Sequence, residues 1–91
     1  MAFKFENLEV WNMAIDLADE VDKSVSDFPK IEMYSLATQL KRAADSVVLN
    51  IAEGSTWQSK LEFIRFLNYS LRSAIEVVSC LFIAKRRSYI S

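Results

Sequence analysis

Five polar side chains that could bind a ligand or take part in a reaction recur at intervals of three and four residues along one predicted helix. They are Gln39, Arg42, Ser46, Asn50 and Glu53. This spacing places them on a single helix face. Such a stripe could line a groove in which Arg42 contacts a phosphate, or form a hydrogen-bonded seam between helices in which Arg42 or Arg65 pairs with Glu53 or Glu76. We favour the seam, because polar seams fix helix register, and the predicted role of the stripe is therefore structural.

A second group of side chains could contact the backbone of a nucleic acid. Its members are basic: Lys41, Arg42, Arg65, Arg72, Lys85, Arg86 and Arg87. Contacts of this kind would be independent of nucleotide sequence and strongly sensitive to salt. The alternative is ordinary solvated charge. The chain contains no recognised nucleic-acid-binding motif, so nucleic acid is only weakly indicated as a partner.

Catalytic and metal-binding chemistry has little support in the residue types present. The chain has no histidine, which excludes Ser–His and Cys–His nucleophiles, and its one glycine, Gly54, excludes a glycine-rich phosphate loop. A metal would have to be held by carboxylates alone, and no pairing of Glu53, Glu62 or Glu76 is evident. The only cysteine, Cys80, is expected to be a small buried hydrophobe. We therefore predict a non-enzymatic protein with no cofactor and no metal site.

Charge is distributed unevenly although the net charge is only -1. The segment 1–27 has seven acidic and two basic residues, whereas 28–91 has nine basic and five acidic residues. Asymmetry of this kind is typical of a nucleic-acid-binding face or of two oppositely charged faces that attract each other between helices or subunits. We favour the second interpretation, because the whole chain is not basic.

Two helix breakers divide the chain into three amphipathic segments. Pro29 and Gly54 separate stretches in which apolar residues repeat at helical spacing, and nothing interrupts the third stretch. We predict a single all-α domain over 1–91 with helices at about 7–26, 33–53 and 59–87. The expected arrangement is an antiparallel up-and-down bundle with short loops.

Local signals predict how these helices begin and end. Asn7 and Ser35 are candidate N-caps, and Ser59 followed by Glu62 reads as a capping box that opens the third helix. Gly54 stands where a left-handed C-terminal cap of the second helix is expected.

Apolar residues exceed what three helices can bury among themselves. Hydrophobic residues make up 52% of the chain, and the third predicted helix is apolar on several sides. This surplus predicts self-association or a missing partner helix, and Tyr89-Ile90-Ser91 resembles the start of another helix.

We see no leader peptide and no apolar run of about 20 residues, and therefore expect a cytoplasmic protein that does not span a membrane.

Several blocks of the sequence resemble one protein family over almost the whole chain. The blocks are 5–11, 28–30, 39–46, 50–55, 60–67 and 84–90. They are similar to the proteins encoded in intervening sequences of large-subunit (23S) ribosomal RNA, which are small bacterial four-helix bundles. The resemblance implies a homo-oligomer, a ring-forming pentamer, and a fourth helix that is missing after Ser91. It also implies a glycine after the third helix, where this chain has Ser88.

The same resemblance leaves two functions open. The family's molecular role is largely undefined, which favours an oligomeric scaffold or binding module. A similar bundle is the accessory protein of diversity-generating retroelements, which partners a reverse transcriptase and binds nucleic acid through a basic surface. The alternative function is therefore an RNA- or DNA-binding accessory protein of a nucleic-acid enzyme.

Overall fold

Three α-helices account for most of the chain in the computed structural model, which describes residues 3–91. They are α1 (Glu9–Val25), α2 (Leu36–Ser55) and α3 (Lys60–Arg86), with short 3₁₀ turns at Lys4–Asn7 and Lys30–Glu32 and no β-strand within this range. The principal extents are 44 × 25 × 21 Å. At about 1.5 Å per residue, α3 alone spans most of the longest dimension. The predicted all-α class is confirmed.

The first helix begins later than predicted because a 3₁₀ turn precedes it. Asn7 belongs to that turn, and Leu8, which is extended at φ -84° and ψ 122°, occupies the N-cap position of α1. The prediction of Asn7 as N-cap is therefore wrong. Asn12 connects the 3₁₀ turn to α1, since its Nδ2 donates hydrogen bonds to the Leu8 carbonyl at 3.0 Å and the Glu6 carbonyl at 3.1 Å.

The second helix also begins later than predicted, at Leu36 rather than near residue 33. Ser35 occupies the N-cap position, yet its hydroxyl donates to Glu32 Oε1 at 2.7 Å and makes no capping hydrogen bond. The N-cap of α3 was predicted correctly. Ser59 Oγ accepts a hydrogen bond from the backbone N–H of Glu62 at 3.3 Å.

Gly54 does not cap α2 but lies inside it. Its φ is not positive, and α2 continues to Ser55, so the predicted left-handed cap is wrong. A Cβ atom at Gly54 would lie 2.6 Å from Phe66 Cβ and 3.0 Å from Phe63 Cδ1. The residue is glycine because α2 and α3 approach closely at this point, not because the backbone needs an unusual conformation.

The α2–α3 pair is antiparallel, as hydrogen bonds along the interface demonstrate. Ser70 Oγ donates to the Val47 carbonyl at 2.7 Å, and Gln39 Nε2 donates to Glu76 Oε2 at 3.3 Å. Residue numbers therefore fall along α2 as they rise along α3.

The α1–α2 pair is antiparallel in the same way, and α2 is the central helix of the three. Lys41 Nζ lies 3.2 Å from Asp22 Oδ1, while Ile15 and Ala18 lie beside Val48 further along. No Cα atom of α1 comes within 8 Å of a Cα atom of α3. The two outer helices therefore stand on either side of α2, with an open groove between them.

The core draws most of its buried residues from α2. Leu40 and Ile51 are among the largest fully buried side chains, together with Val77 and Cys80 of α3. Burial raises the pKa of the Cys80 thiol, and the charge of Glu76 raises it further. Cys80 is therefore a protonated, inert core residue, as its isolation in the sequence suggested.

Candidate functional site

The outward side of α3 is an exposed surface of mixed apolar and basic residues, which we call the α3 outer face. Phe82, Ile75 and Leu61 are 69%, 60% and 78% exposed. Helical spacing places them in one row with Asn68, beside a second row in which arginine predominates. The eight exposed residues of the face are Leu61, Arg65, Asn68, Arg72, Ile75, Ser79, Phe82 and Arg86.

A second apolar surface lines the open side between the outer helices, and we call it the α1–α3 groove. Its walls are Val10 and Leu17 of α1 and Leu71, Val78 and Leu81 of α3. Val10, Leu71 and Val78 are exposed, whereas Leu17 and Leu81 are half-buried against the core. Packing with α2 therefore covers only one side of α3 and leaves two adjoining apolar surfaces in contact with water.

One helix, α3, is long and apolar enough to cross a membrane by length and composition, although we expected no such segment from the sequence. Only 22% of its most apolar 18-residue window is buried. A single helix of this kind is weak evidence of a membrane span, because the core helix of a soluble protein can have the same length and composition.

Part of the predicted polar stripe, namely Gln39, Ser46 and Asn50, lies along the edge of the α2–α3 interface. Beside the Gln39–Glu76 hydrogen bond, Ser73 Oγ donates to Ser46 Oγ at 2.8 Å. Asn50 Nδ2 donates to the Ser46 carbonyl at 2.9 Å, which is a bond within α2. In these hydrogen bonds either both groups are neutral or, for Gln39 and Glu76, one of the two is charged. The arginine–glutamate pairing predicted from the sequence is not among them.

Arg42 and Glu53, the charged members of the stripe, are both exposed. Within residues 3–91 neither side chain forms a hydrogen bond or an ion pair. Arg65 pairs locally with Glu62, with Nε 3.4 Å from Oε2. The structure therefore joins Gln39, Ser46 and Asn50 in one polar edge and leaves Arg42 and Glu53 in solvent.

The predicted basic residues do not form a single cluster. Lys41 pairs with Asp22, as described above, and the Arg87 guanidinium lies 2.9 Å from Glu32 Oε2. Arg65 and Arg72 belong to the α3 outer face together with Arg86. In the part of the chain that the structure describes, no ion pair involves Arg42, Arg72, Lys85 or Arg86.

A buried polar cluster at one end of the molecule was missed in the sequence analysis. Glu32 is 9% exposed, and its carboxylate accepts three hydrogen bonds, from Ser35 Oγ at 2.7 Å, Arg87 at 2.9 Å and Tyr89 Oη at 2.7 Å. The Ser35 and Tyr89 hydrogen bonds and the Arg87 charge hold the pKa of Glu32 below its ordinary value. The hydrogen bond to Glu32 raises the pKa of Tyr89. No local sequence pattern could have joined residues 55 and 57 positions apart.

The same cluster directs the chain after α3. Ser88 has φ 63°, the left-handed conformation, and the N–H groups of Ser88 and Tyr89 donate to the carbonyls of Lys85 and Ala84. This is a Schellman motif with serine in the position that usually holds glycine. The turn brings the Tyr89 ring to 5.5 Å from the Phe28 ring, and Ile90 packs against the core between the outer helices.

Concave surfaces offer little chemistry. An open depression of about 540 Å³ is lined by Val25, Phe28, Met33, Tyr34 and Lys41, among others, at the end of the molecule near Pro29. It is mainly apolar and contains no acid–base pair. Within residues 3–91, no group of three potential ligands could hold a metal ion.

These features define a class of protein. It is a small all-α protein of antiparallel helices, with the buried polar cluster of Glu32 at one end and a broad exposed apolar surface on α3. The model of one family, described as 23S rRNA-intervening sequence protein, matches residues 6–91. The chain therefore belongs to that family, as the sequence blocks indicated. A search of curated proteins finds no match.

Proposed function

We propose that this protein is a non-enzymatic assembly module that acts as a homo-oligomeric scaffold or binding module. The observation that supports the proposal is the exposure of Leu61, Leu71, Ile75, Val78 and Phe82 along one helix. Covering a side chain of this size is worth about 1.5–3 kcal/mol relative to leaving it in water. A surface of this extent on a small chain is typical of an interface.

A closed ring is the form of assembly that we propose, and the family resemblance suggests a pentamer. A head-to-tail interface uses two different surfaces of each copy and closes when the rotation between copies divides a full turn. The charge asymmetry is consistent with such an interface, since α1 is acidic and the α3 outer face is basic.

We further propose that the complete fold is a four-helix bundle in which a fourth helix occupies the α1–α3 groove. In an up-and-down bundle the first and third helices are diagonal, which agrees with the separation of α1 and α3. Ser88 turns the chain towards this groove, and Ile90 already packs at its end. The helix would be supplied by residues after Ser91 or by a partner.

Sedimentation and light scattering over a range of micromolar concentrations test the assembly directly. A single species of several times the chain mass of 10.5 kDa is the expected result, and a mass near five chains would support the pentamer. A monomer at all concentrations would contradict the proposal.

A second candidate function is an accessory protein for a nucleic-acid enzyme. The observation that favours it is the row of Arg65, Arg72 and Arg86, which are exposed on one side of α3. Guanidinium groups in a row could follow a phosphate backbone.

Titration with single-stranded and structured RNA at two salt concentrations tests this candidate. Binding that is tight at low salt and weakens steeply with added salt would support it, because such binding releases condensed counterions. Absence of binding at low salt would exclude it. The variant Arg72→Ala should weaken the binding, and Lys23→Ala, which removes the same charge from an exposed position of α1, serves as a control.

A further inference from the structure

We infer that the Glu32 cluster acts as a conformational latch: it joins two chain segments, and these segments open together while the three helices remain folded. One segment is the connection between α1 and α2, residues 26–35, and the other is the chain after α3, residues 87–91. The inference goes beyond the proposed assembly, because it concerns contacts within one copy of the chain.

The connection between α1 and α2 has few buried side chains. Glu32 is the one buried residue of the 3₁₀ turn Lys30–Glu32, whereas Ile31 and Tyr34 beside it are 84% and 90% exposed. Phe28 is buried before the turn. The exposed apolar side chains do not anchor this segment, so its position depends on Phe28 and on the Glu32 carboxylate.

The chain after α3 is attached to the same two residues. The Arg87 guanidinium and the Tyr89 hydroxyl both donate to Glu32 Oε2, at 2.9 and 2.7 Å. The Tyr89 ring lies 5.5 Å from the Phe28 ring. Each segment therefore anchors the other, and the hydrogen bonds from Arg87 and Tyr89 end at a single carboxylate oxygen.

This arrangement makes opening cooperative. When the Tyr89 hydroxyl leaves Glu32 for water, its ring also leaves Phe28, and the buried carboxylate loses a hydrogen-bond donor. A buried charge with too few partners is unfavourable, so Glu32 then moves into water as well. Ser35 Oγ, which donates to the other carboxylate oxygen at 2.7 Å, is released in the same step. Motion of either segment therefore frees the other.

The helices do not depend on these segments for the centre of their core. The largest fully buried side chains are Leu40 and Ile51 of α2 and Val77 and Cys80 of α3, and all four lie outside both segments. Regions with few buried apolar contacts open at a smaller cost in free energy than the whole fold. The two segments therefore form one unit that opens more readily than the helices unfold.

Opening changes the surface at the end of the α1–α3 groove. In the closed state Ser88 turns the chain at the end of α3, and Ile90 lies beside Val78 and Leu81. Release of the segment uncovers these apolar residues together with Phe28. The Glu32 cluster therefore sets both the direction in which the chain leaves α3 and the accessibility of this end of the groove.

Limited digestion with trypsin tests the coupling on the full chain. Trypsin cleaves after Lys30 in the first segment and after Arg87 in the second. Tyr89→Phe keeps the ring but removes its hydrogen bond to Glu32. It should increase the rate of cleavage after Lys30, in the other segment, by about tenfold, which corresponds to the loss of one hydrogen bond to a charged group. Cleavage after Arg87 should increase by the same factor. Tyr69→Phe, on α3 away from the cluster, is the matched control and should leave both rates unchanged.

Hydrogen exchange distinguishes opening of the segments from unfolding of the helices. The backbone N–H groups of Glu32, Ser35, Ser88 and Tyr89 donate to carbonyls within their own segments or at the end of α3. These four amides should share one protection factor, smaller by about tenfold or more than that of core amides such as Leu40. Tyr89→Phe should lower all four protection factors by the same ratio.

Three results would overturn the inference. An increase in cleavage after Arg87 alone would show that the segments open independently, and unchanged cleavage at both sites would show that the hydrogen bond does not hold them. Equal protection of the four amides and the core amides would show that the cluster opens only with the whole fold. None of these results bears on assembly, which light scattering measures separately.

Discussion

Helices α2 and α3 are both amphipathic, yet only α2 has most of its apolar residues buried. α2 packs against α1 on one side and α3 on the other, and ten of its twenty residues are buried. α3 packs only against α2 and keeps five buried residues in its 27. The difference teaches that periodicity identifies an apolar face, whereas the number of neighbouring helices decides how much of that face remains available for other contacts.

The two helices also differ in how their polar side chains are used. At the α2–α3 interface, Ser70 and Ser73 make short hydrogen bonds to α2, which allow close packing without buried charge. On the α3 outer face, arginines alternate with large apolar residues. The first arrangement holds the fold together, and the second is suited to a partner.

The largest effect is expected in the core of α2. Leu40→Ala should lower the free energy of unfolding by about 2–5 kcal/mol, because Leu40 is fully buried and the substitution leaves a cavity. Leu49→Ala on the exposed side of the same helix should change it by less than about 0.5 kcal/mol. Urea denaturation measures both. Equal losses would mean that the outward side of α2 is covered in solution, which would remove the contrast with α3.

A smaller loss is expected from Gly54→Ala. The new Cβ would meet Phe66 at 2.6 Å, so we expect a decrease of about 1–3 kcal/mol in unfolding free energy despite the better helix propensity of alanine. Glu53→Ala, one residue earlier and exposed, is the control and should be nearly neutral. A stabilised Gly54→Ala protein would show that α2 and α3 can move apart at this point without loss, and that their interface is not tightly packed there.

The Glu32 cluster predicts a specific loss of stability in acid. The pKa of Glu32 is lowered in the folded state, so the cluster stabilises the protein at neutral pH. This contribution is lost as the pH falls from 4.5, the ordinary pKa of a glutamate, through the lower pKa of Glu32 in the folded protein. Glu32→Gln should reduce the melting temperature at neutral pH and weaken its dependence on pH in the acid range. Thermal melts at several pH values measure this, with Glu53→Gln as the control for loss of charge. If the melting temperature of Glu32→Gln depends on acid pH as that of the wild type does, the stabilising role of the Glu32 cluster is contradicted.

Ser88→Gly should stabilise the protein slightly. Serine in the left-handed conformation costs about 1 kcal/mol relative to glycine, and the greater freedom of glycine in the unfolded chain offsets part of the gain. We expect a net increase of about 0.5 kcal/mol in unfolding free energy by urea denaturation. A decrease would indicate that the Ser88 side chain makes a favourable contact in solution.

The smallest effect on folding is expected on the α3 outer face. Ile75→Ser should change the unfolding free energy of a single copy by less than about 0.5 kcal/mol, because Ile75 is 60% exposed there. Melts at high and low protein concentration distinguish folding from assembly. The variant should lose the concentration dependence that the wild-type protein shows if this face is an interface. A large loss at low concentration would mean that Ile75 contributes to the fold itself.

The sequence predicted the helical class, because a repeat of 3.6 residues and the breakers Pro29 and Gly54 are local properties of the chain. It also predicted the Ser59 cap, which depends on residues three positions apart. It misplaced the starts of α1 and α2. Before α2, the 3₁₀ turn contains Glu32, whose carboxylate is held by Arg87 and Tyr89 from the other end of the chain. Gly54 was misinterpreted because glycine serves both turns and close helix packing, and only the distance to Phe66 distinguishes the two.

By itself, then, the amino-acid sequence determined that the chain forms amphipathic helices, that it resembles one family, and that catalytic residue types are scarce. The tertiary structure alone decided that Glu32 meets Arg87 and Tyr89, that Arg42 and Glu53 remain in solvent, and that α3 exposes many large apolar side chains while most of those on α2 are buried. The physical reason is that helix formation follows from short-range spacing along the chain. Burial and polar pairing depend on which distant residues the packed helices bring together, and a one-dimensional pattern does not contain those distances.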